Sequence, residues 1–245
     1  MEELELFKKK IISYIDKVLD GGVVLLPFLD EAKVSIVEEV INKNRINAYK
    51  YGGIINSDRV RYILSPYEVL ESDFKIIVYK IKYNKKFINI NHRHVLGNLM
   101  ALGIKRECIG DIVFNDNLDI FFACTKEISS FIKEEFKSLN QASIELEEIA
   151  YKVENIIKYD EKLCFLASLR LDVIISSAYS FSRSEALEYI KNGLVYINHI
   201  NILNPSHIVK ELDEISVRHK GRVKVMSTGG ETKSGRLKVI LGKRI

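Results

Sequence analysis

Two changes of hydrophobic period inside one stretch, Arg170 to Val225, constrain this chain more than anything else in it. Leu171, Ile174, Ile175 and Ala178 recur at helical spacing and form one apolar stripe. Ser182 is followed three residues later by Glu185, a capping box that starts a second helix. Leu187 and Ile190 supply the buried face of that helix, and Gly193 stands where a helix C′ residue with positive φ is wanted. Leu194, Tyr196 and Asn198 then alternate with Val195 and Ile197, so the pattern turns from helix to strand. Asp213-Glu214 reads as a turn and Ile215 to Val217 as a returning strand.

Cations lie at particular points of this frame. Arg170 opens the first helix, Arg183 and Ser184 open the second, and Lys191 closes it. A helix start presents free N–H groups and a partial positive charge, so arginines at two such starts suit phosphate. Arg218, Lys220, Arg222 and Lys224 are expected to alternate along one side of a strand. Asp172 would repel phosphate and is expected to orient Arg170 or to cap locally.

The same residues resemble the small RNA-binding domain named after ribosomal protein S-four, the alpha-L fold. Arg170-Leu171-Asp172, Ser182-Arg183-Ser184-Glu185-Ala186, Gly193-Leu194-Val195-Tyr196-Ile197-Asn198 and Asp213-Glu214-Ile215-Ser216-Val217 follow its usual order and spacing. His199 departs from the pattern, which has Gly after Asn, and a positive φ there strains a non-Gly residue. The resemblance implies that Arg170, Arg183, Ser184, Lys191, Arg218, Lys220, Arg222 and Lys224 face RNA. Asn198 either bonds RNA or stabilises its own turn.

Charge agrees with this placement. Residues 165–245 hold 13 Lys and Arg against 7 Asp and Glu, a net +6, while the rest holds 24 against 26, a net −2. Such an asymmetry is the footprint of a polyanion-binding module, or else a solvated basic face. At 47% hydrophobic and 29% charged residues, the 245-residue chain can build one large core or two to three small ones. No apolar run reaches the roughly 18 residues of a membrane helix, and the start, MEELELFKKKII, has no apolar signal core, so a cytoplasmic location is expected. Cys108, Cys124 and Cys164 have no metal spacing and read as buried thiols, and no cofactor is expected.

The chain before this stretch reads as α+β. A small N-terminal α/β domain is expected at 1–66, a central α+β domain at 67–160, and the alpha-L domain with a basic hairpin at 165–245. Residues 3–19 read as one helix, and Asp30 caps a second that runs to Lys43. Tyr49 to Ile54 and Arg59 to Leu64 read as strands, with Arg59 and Arg61 as solvated strand charges. Gly52-Gly53 lacks the companions of a phosphate loop. Phe74 to Tyr83 alternates as a strand, His92 to Leu102 reads as a helix, and 112–123 reads as a hairpin. Thr125 is expected to cap a helix to about Leu139 with Phe131 and Ile132 inward. After the linker Leu139-Asn140-Gln141, a further helix is expected over Glu145 to Tyr159. An apolar segment follows from Leu163 to Leu169. The tail from Met226 to Ile245 reads as a glycine-rich hairpin whose return strand carries Arg236 and Lys238.

The run Gly97 to Glu107, followed by Ile109-Gly110-Asp111-Ile112, resembles the central domain of the YlmH family of bacterial RNA-binding proteins. Leu26 to Asp30 and Gly230 to Leu237 also fit, so the resemblance covers nearly the whole chain. It implies a monomeric, non-catalytic factor that binds rRNA and tRNA on the large ribosomal subunit during rescue of stalled translation, with no membrane or DNA partner. Lys105-Arg106 beside Gly103 is either a further RNA contact or a solvated turn. His92 and His94, at i and i+2, share no helix face and do not suit a metal. An RNA-modifying enzyme of the pseudouridine synthase or methyltransferase type is the alternative, since alpha-L modules are often attached to such enzymes. Residues 1–165, however, show no nucleotide loop, metal cluster or nucleophile–base pair. An adaptor role in cell division has no residue-level support.

Overall fold

A computed structural model describes residues 2–84, 90–140 and 142–244; Gln141 and Ile245, named above, lie outside them. These residues divide into two units, Met1–Ile156 and Ile157–Ile245. Every pair of named strands among them is antiparallel.

The first unit runs α1 (Glu2–Ser13), α2 (Ile15–Leu19), β1 (Val24–Leu25), α3 (Glu31–Asn44), β2 (Ala48–Tyr51), β3 (Arg61–Leu64), β4 (Ile76–Lys82), α4 (His92–Ala101), β5 (Ile109–Phe114), β6 (Ile120–Thr125), α5 (Lys126–Glu135), β7 (Ser138–Leu139), β8 (Ala142–Ser143) and β9 (Glu145–Glu148). Its larger sheets are ordered β1-β3-β2 and β5-β6-β4-β9. The Asp30 carboxylate accepts from Lys33 N at 3.0 Å and starts α3, as its sequence position implies. Ile11, Val37, Tyr62 and Leu64 form one core. Val95, Leu99, Phe122 and Ile132 belong to another. Phe28, Ile54, Phe121 and Val153 make a third that draws on both halves of the unit. Gly53 has φ +80°, and a Cβ there would lie 2.6 Å from Ile76 Cγ2, so the glycine pair serves a close packing turn.

Four expectations need correction here. The N-terminal helix is interrupted, with Tyr14 between α1 and α2. Thr125 stands before α5 without a side-chain cap, α5 ends at Glu135, and Phe131 is 46% exposed. The segment from Glu145 is not a helix. Ile144 and Leu146 are buried while Glu145 and Glu147 are exposed, a period of two, and Glu145 and Glu147 stand opposite Lys82 and Lys80 of β4. Burial of Ile144 and Leu146 on one face, with the Lys82–Glu147 ion pair on the other, outweighs the helix propensity of glutamate. Finally, Arg61 is not solvated, and Arg59 is half-buried and bonded to backbone carbonyls. Arg61 is only 5% exposed and donates to Leu26 O, Phe74 O and Lys75 O.

The second unit runs β10 (Tyr159–Leu166), α6 (Leu171–Tyr179), α7 (Arg183–Lys191), β11 (Val195–Ile197), β12 (Ile200–Asn201), β13 (Glu214–Val217), β14 (Gly221–Glu231) and β15 (Leu237–Arg244). Its sheet order is β10-β15-β14-β13-β11-β12. Leu171, Ile174 and Ile175 of α6, Ala186 and Ile190 of α7, and Val195, Ile215, Val225 and Val239 of the sheet share one core. The Ser182 capping box is complete, and Gly193 has φ +68°. Asn198 and His199 have φ +49° and +69° between paired Ile197 and Ile200, a two-residue hairpin turn whose strain His199 accepts. β10 pairs with β15 along its full length, from Tyr159 opposite Arg244 to Leu166 opposite Leu237.

Candidate nucleic-acid interface

The two helix starts that the sequence sets side by side differ in what they leave open. At α6, Leu171 N donates to His207 O at 2.9 Å and Asp172 N to Pro205 O at 3.2 Å. Val173 N donates to Asp172 Oδ1 at 3.0 Å. The first N–H groups of this helix are therefore used by the chain itself, which corrects the expectation that both starts offer them to phosphate. Arg170 instead grips Asp172, Nε to Oδ1 at 3.0 Å and Nη2 to Oδ2 at 2.8 Å. These hydrogen bonds hold the Asp172 carboxyl below the ordinary carboxylate range. Asp172 thus orients Arg170, whose side chain remains about 39% exposed.

At α7 the cap is closed, and the first N–H groups of the helix stay open. Ser182 Oγ accepts from Glu185 N at 3.2 Å, and Ser182 N donates to Glu185 Oε2 at 2.8 Å. Hydrogen bonds from Ser182 keep the Glu185 carboxyl below its usual range. The N–H groups of Arg183 and Ser184 have no hydrogen-bond partner among the described residues. The Arg183 guanidinium makes no hydrogen bond or ion pair there either. It lies exposed on an open groove of about 530 Å³, with Arg236 also on the lining. Phe165, Asp172, Ser176 and Ser177 line the same groove. Arg236 precedes β15, one residue outside the strand on which the sequence places it.

The remaining basic residues do not form one row. Arg218 and Lys220 lie in the turn between β13 and β14, where His219 and Gly221 have φ +66° and +98°. Arg222 and Lys224 lie on β14. The reason is the turn itself, whose positive-φ positions break the expected alternation. Arg222 donates to Glu214 Oε1 at 3.1 Å and is mostly covered. Lys220 Nζ sits 5.4 Å from the Phe181 ring centroid and 5.9 Å from that of Tyr189, while Phe181 stacks between Tyr179 and Tyr189. Lys191 is exposed at the end of α7. Asn198 uses both ends of its amide locally: Nδ2 donates to Asp213 Oδ1 at 2.8 Å, and Oδ1 accepts from Glu214 N at 3.0 Å. Of its two readings, the turn-stabilising one has direct geometry.

Lys105 and Arg106 belong to the first unit. Lys105 is exposed, but Arg106 turns inward and donates to Ile109 O at 2.6 Å. Burial, and then the charge of Arg59, pull the Arg106 guanidinium down to about 10. Arg59 donates to Ile109 O, Phe28 O and Arg106 O, and Asp111 accepts from Asp58 N and Arg59 N. Lys33, Arg59, Lys105 and Arg106 line an open cleft with Asp30 and Glu107. Carboxylates among its cations make it a mixed rather than a basic surface.

Comparison with known proteins accords with this geometry. Residues 169–215 match the S4 domain, and residues 70–153 match the family described as "Putative RNA-binding domain in YlmH". Ribosome-associated protein quality control protein P2 of Bacillus subtilis is 31% identical over 245 residues, covering 95% of each chain. Cell division protein ylmH from Streptococcus pneumoniae superposes with a TM-score of 0.53 at 23% identity, over 61% of this chain and 92% of that one; at that identity the likeness speaks for the fold. Methylenetetrahydrofolate dehydrogenase of Saccharomyces cerevisiae is 29% identical over 143 residues, 58% of this chain and 39% of its own. The present sequence has no G-x-G-x-x-G, and among the described residues its named strand pairs are antiparallel, unlike the parallel, glycine-looped frame that holds dinucleotides.

Proposed function

The chain belongs to the YlmH family of RNA-binding proteins, and on that footing we propose that it binds folded rRNA and tRNA on the large ribosomal subunit without altering them chemically. Rescue or quality control of stalled translation is the setting, by analogy with the Bacillus relative's name. The observation that carries the RNA surface is the open start of α7, where unpaired N–H groups, Arg183 and Arg236 converge beside the Arg170–Asp172 pair. Phosphate neutralisation supplies most of the affinity, and shape and backbone supply most of the selectivity. The protein acts in the cytoplasm as a monomer, with domains at 1–66, 67–160 and 165–245, the first two packed together as one unit.

Cosedimentation tests the reading. The wild-type protein travels with large subunits, and the Arg183→Ala/Arg236→Ala double variant, checked for native folding, stays behind. Equal cosedimentation of the two would place the ribosome-binding surface elsewhere.

A further inference from the structure

We propose that the groove between α6 and the β14–β15 turn holds one unpaired RNA nucleotide, with its base against Phe165 and its phosphates on Arg183 and Arg236. The inference rests on the RNA reading above and names the substrate feature this groove selects.

Four observations meet there. First, the groove has two origins. Asp172, Ser176, Ser177 and Arg183 lie within the stretch that matches the S4 domain, whereas Phe165, on β10, and Arg236, in the turn just before β15, lie outside it. The β10–β15 pairing that adds them sets Leu166 opposite Leu237 and Phe165 opposite Lys238, so the ring and a further exposed cation are cross-strand neighbours. Second, Phe165 is 48% exposed, although its strand neighbours Cys164 and Leu166 are buried in the core. An aromatic ring held at a rigid strand position beside cations is a stacking surface for a base.

Third, the two arginines are not tied down: after the hydrogen bonds from Arg170, the Arg183 charge helps acidify Asp172 across the groove, but Arg183 is not hydrogen-bonded to it. Neither guanidinium makes a hydrogen bond or ion pair among the described residues, in contrast to Arg170 and Arg222, which are held by Asp172 and Glu214. Fourth, Ser176 lines the groove, and its Oγ is buried with no hydrogen-bond partner among the described residues. Such a hydroxyl gains a partner if a small side-chain rotation turns it toward a group bound in the groove. At about 530 Å³ the groove has the size of a small-ligand pocket. Aromatic ring, cations and hydroxyl together fit a nucleotide rather than a bare phosphate. Its open form and its continuity with the α7 start favour a nucleotide still attached to a strand. A fully paired stem keeps its bases stacked and cannot present one here.

Fluorescence anisotropy with two labelled RNA hairpins of equal charge decides the matter, one stem fully paired and one carrying a single-nucleotide adenine bulge. Wild-type protein is expected to bind the bulged RNA roughly 5- to 160-fold more tightly, the range set by stacking one base on an aromatic ring. Phe165→Leu, which keeps an apolar strand residue, is expected to bring the ratio close to one. Ser176→Ala is expected to lower it in part. A wild-type ratio near one, or a ratio that survives Phe165→Leu, overturns the inference while leaving the RNA reading standing. Displacement of the bulged RNA by stoichiometric adenosine monophosphate would assign the groove to a free nucleotide and also overturn it. Failure of both RNAs to bind in a salt-dependent way would sink the RNA reading, and this inference with it.

Discussion

The arginines of the two units carry the same side chain into opposite employment. In the first unit Arg61 is buried and Arg59 and Arg106 are turned inward, each donating to backbone carbonyls from segments distant in sequence or from its own turn. In the second unit Arg183 and Arg236 are exposed and make no hydrogen bond or ion pair among the described residues, and Arg170 is aimed by a carboxylate rather than consumed by carbonyls. A guanidinium carries five donors in a fixed fork, so it can knit loops together or grip phosphate, and its partners decide which. Counting cations therefore misleads; asking which of them lack partners does not.

The contrast breaks most visibly at Arg61. Arg61→Leu strands the carbonyls of Leu26, Phe74 and Lys75 and is expected to lower stability by roughly 3 kcal/mol or more, read from urea unfolding. The fraction that folds should still bind RNA. Arg183→Ala/Arg236→Ala should do the reverse. Its stability should stay within about 0.5 kcal/mol of wild type, while RNA affinity falls by about tenfold or more through two lost phosphate contacts. If Arg61→Leu weakened RNA binding per folded molecule as much as this double variant, the division of labour would be wrong.

Asp172 sharpens the comparison through pH. Its folded carboxyl is acidified by hydrogen bonds from Arg170, so the pair stabilises the fold above the unfolded value of about 3.9, and this contribution is lost as pH falls through the folded value. The advantage of wild type over Asp172→Asn in urea midpoint should be level from neutral pH to about pH 5 and shrink below about pH 4. A difference that grew on acidification would contradict the assignment. The smallest effect is expected at Asn198. Asn198→Ala removes the tie between the hairpin turn and Asp213–Glu214, costing about 1 kcal/mol, with less loss of RNA affinity than the arginine pair produces.

Where the sequence was readable, the signal was local. The Ser182–Glu185 box, the Asp30 cap, the helix-ending Gly193 and the alternation of β4 all depend on residues within a few positions of one another. Where it misled, the deciding partner was remote. The carbonyls that bury Arg61 come from Leu26 and Phe74, and β9 reads as a helix until Lys80 and Lys82 are set opposite its glutamates. The α6 start looks open until His207 and Pro205 fold over it. The groove was half legible. Arg183 and Arg236 stand out as cations, but Phe165 reads only as part of an apolar segment. Leu163 to Leu166 are all apolar, so its outward face shows only in the alternating burial of the folded strand.

The central claim is that the cations at the α7 start and the β14–β15 turn hold RNA by its phosphates. Measuring the dissociation constant of one paired RNA stem across a salt series, for wild type and for Arg183→Ala/Arg236→Ala, tests it most directly. On this account the logarithmic salt slope of the double variant is shallower by about two, one for each lost phosphate contact. Two parallel lines, with affinity and slope unchanged, would contradict it.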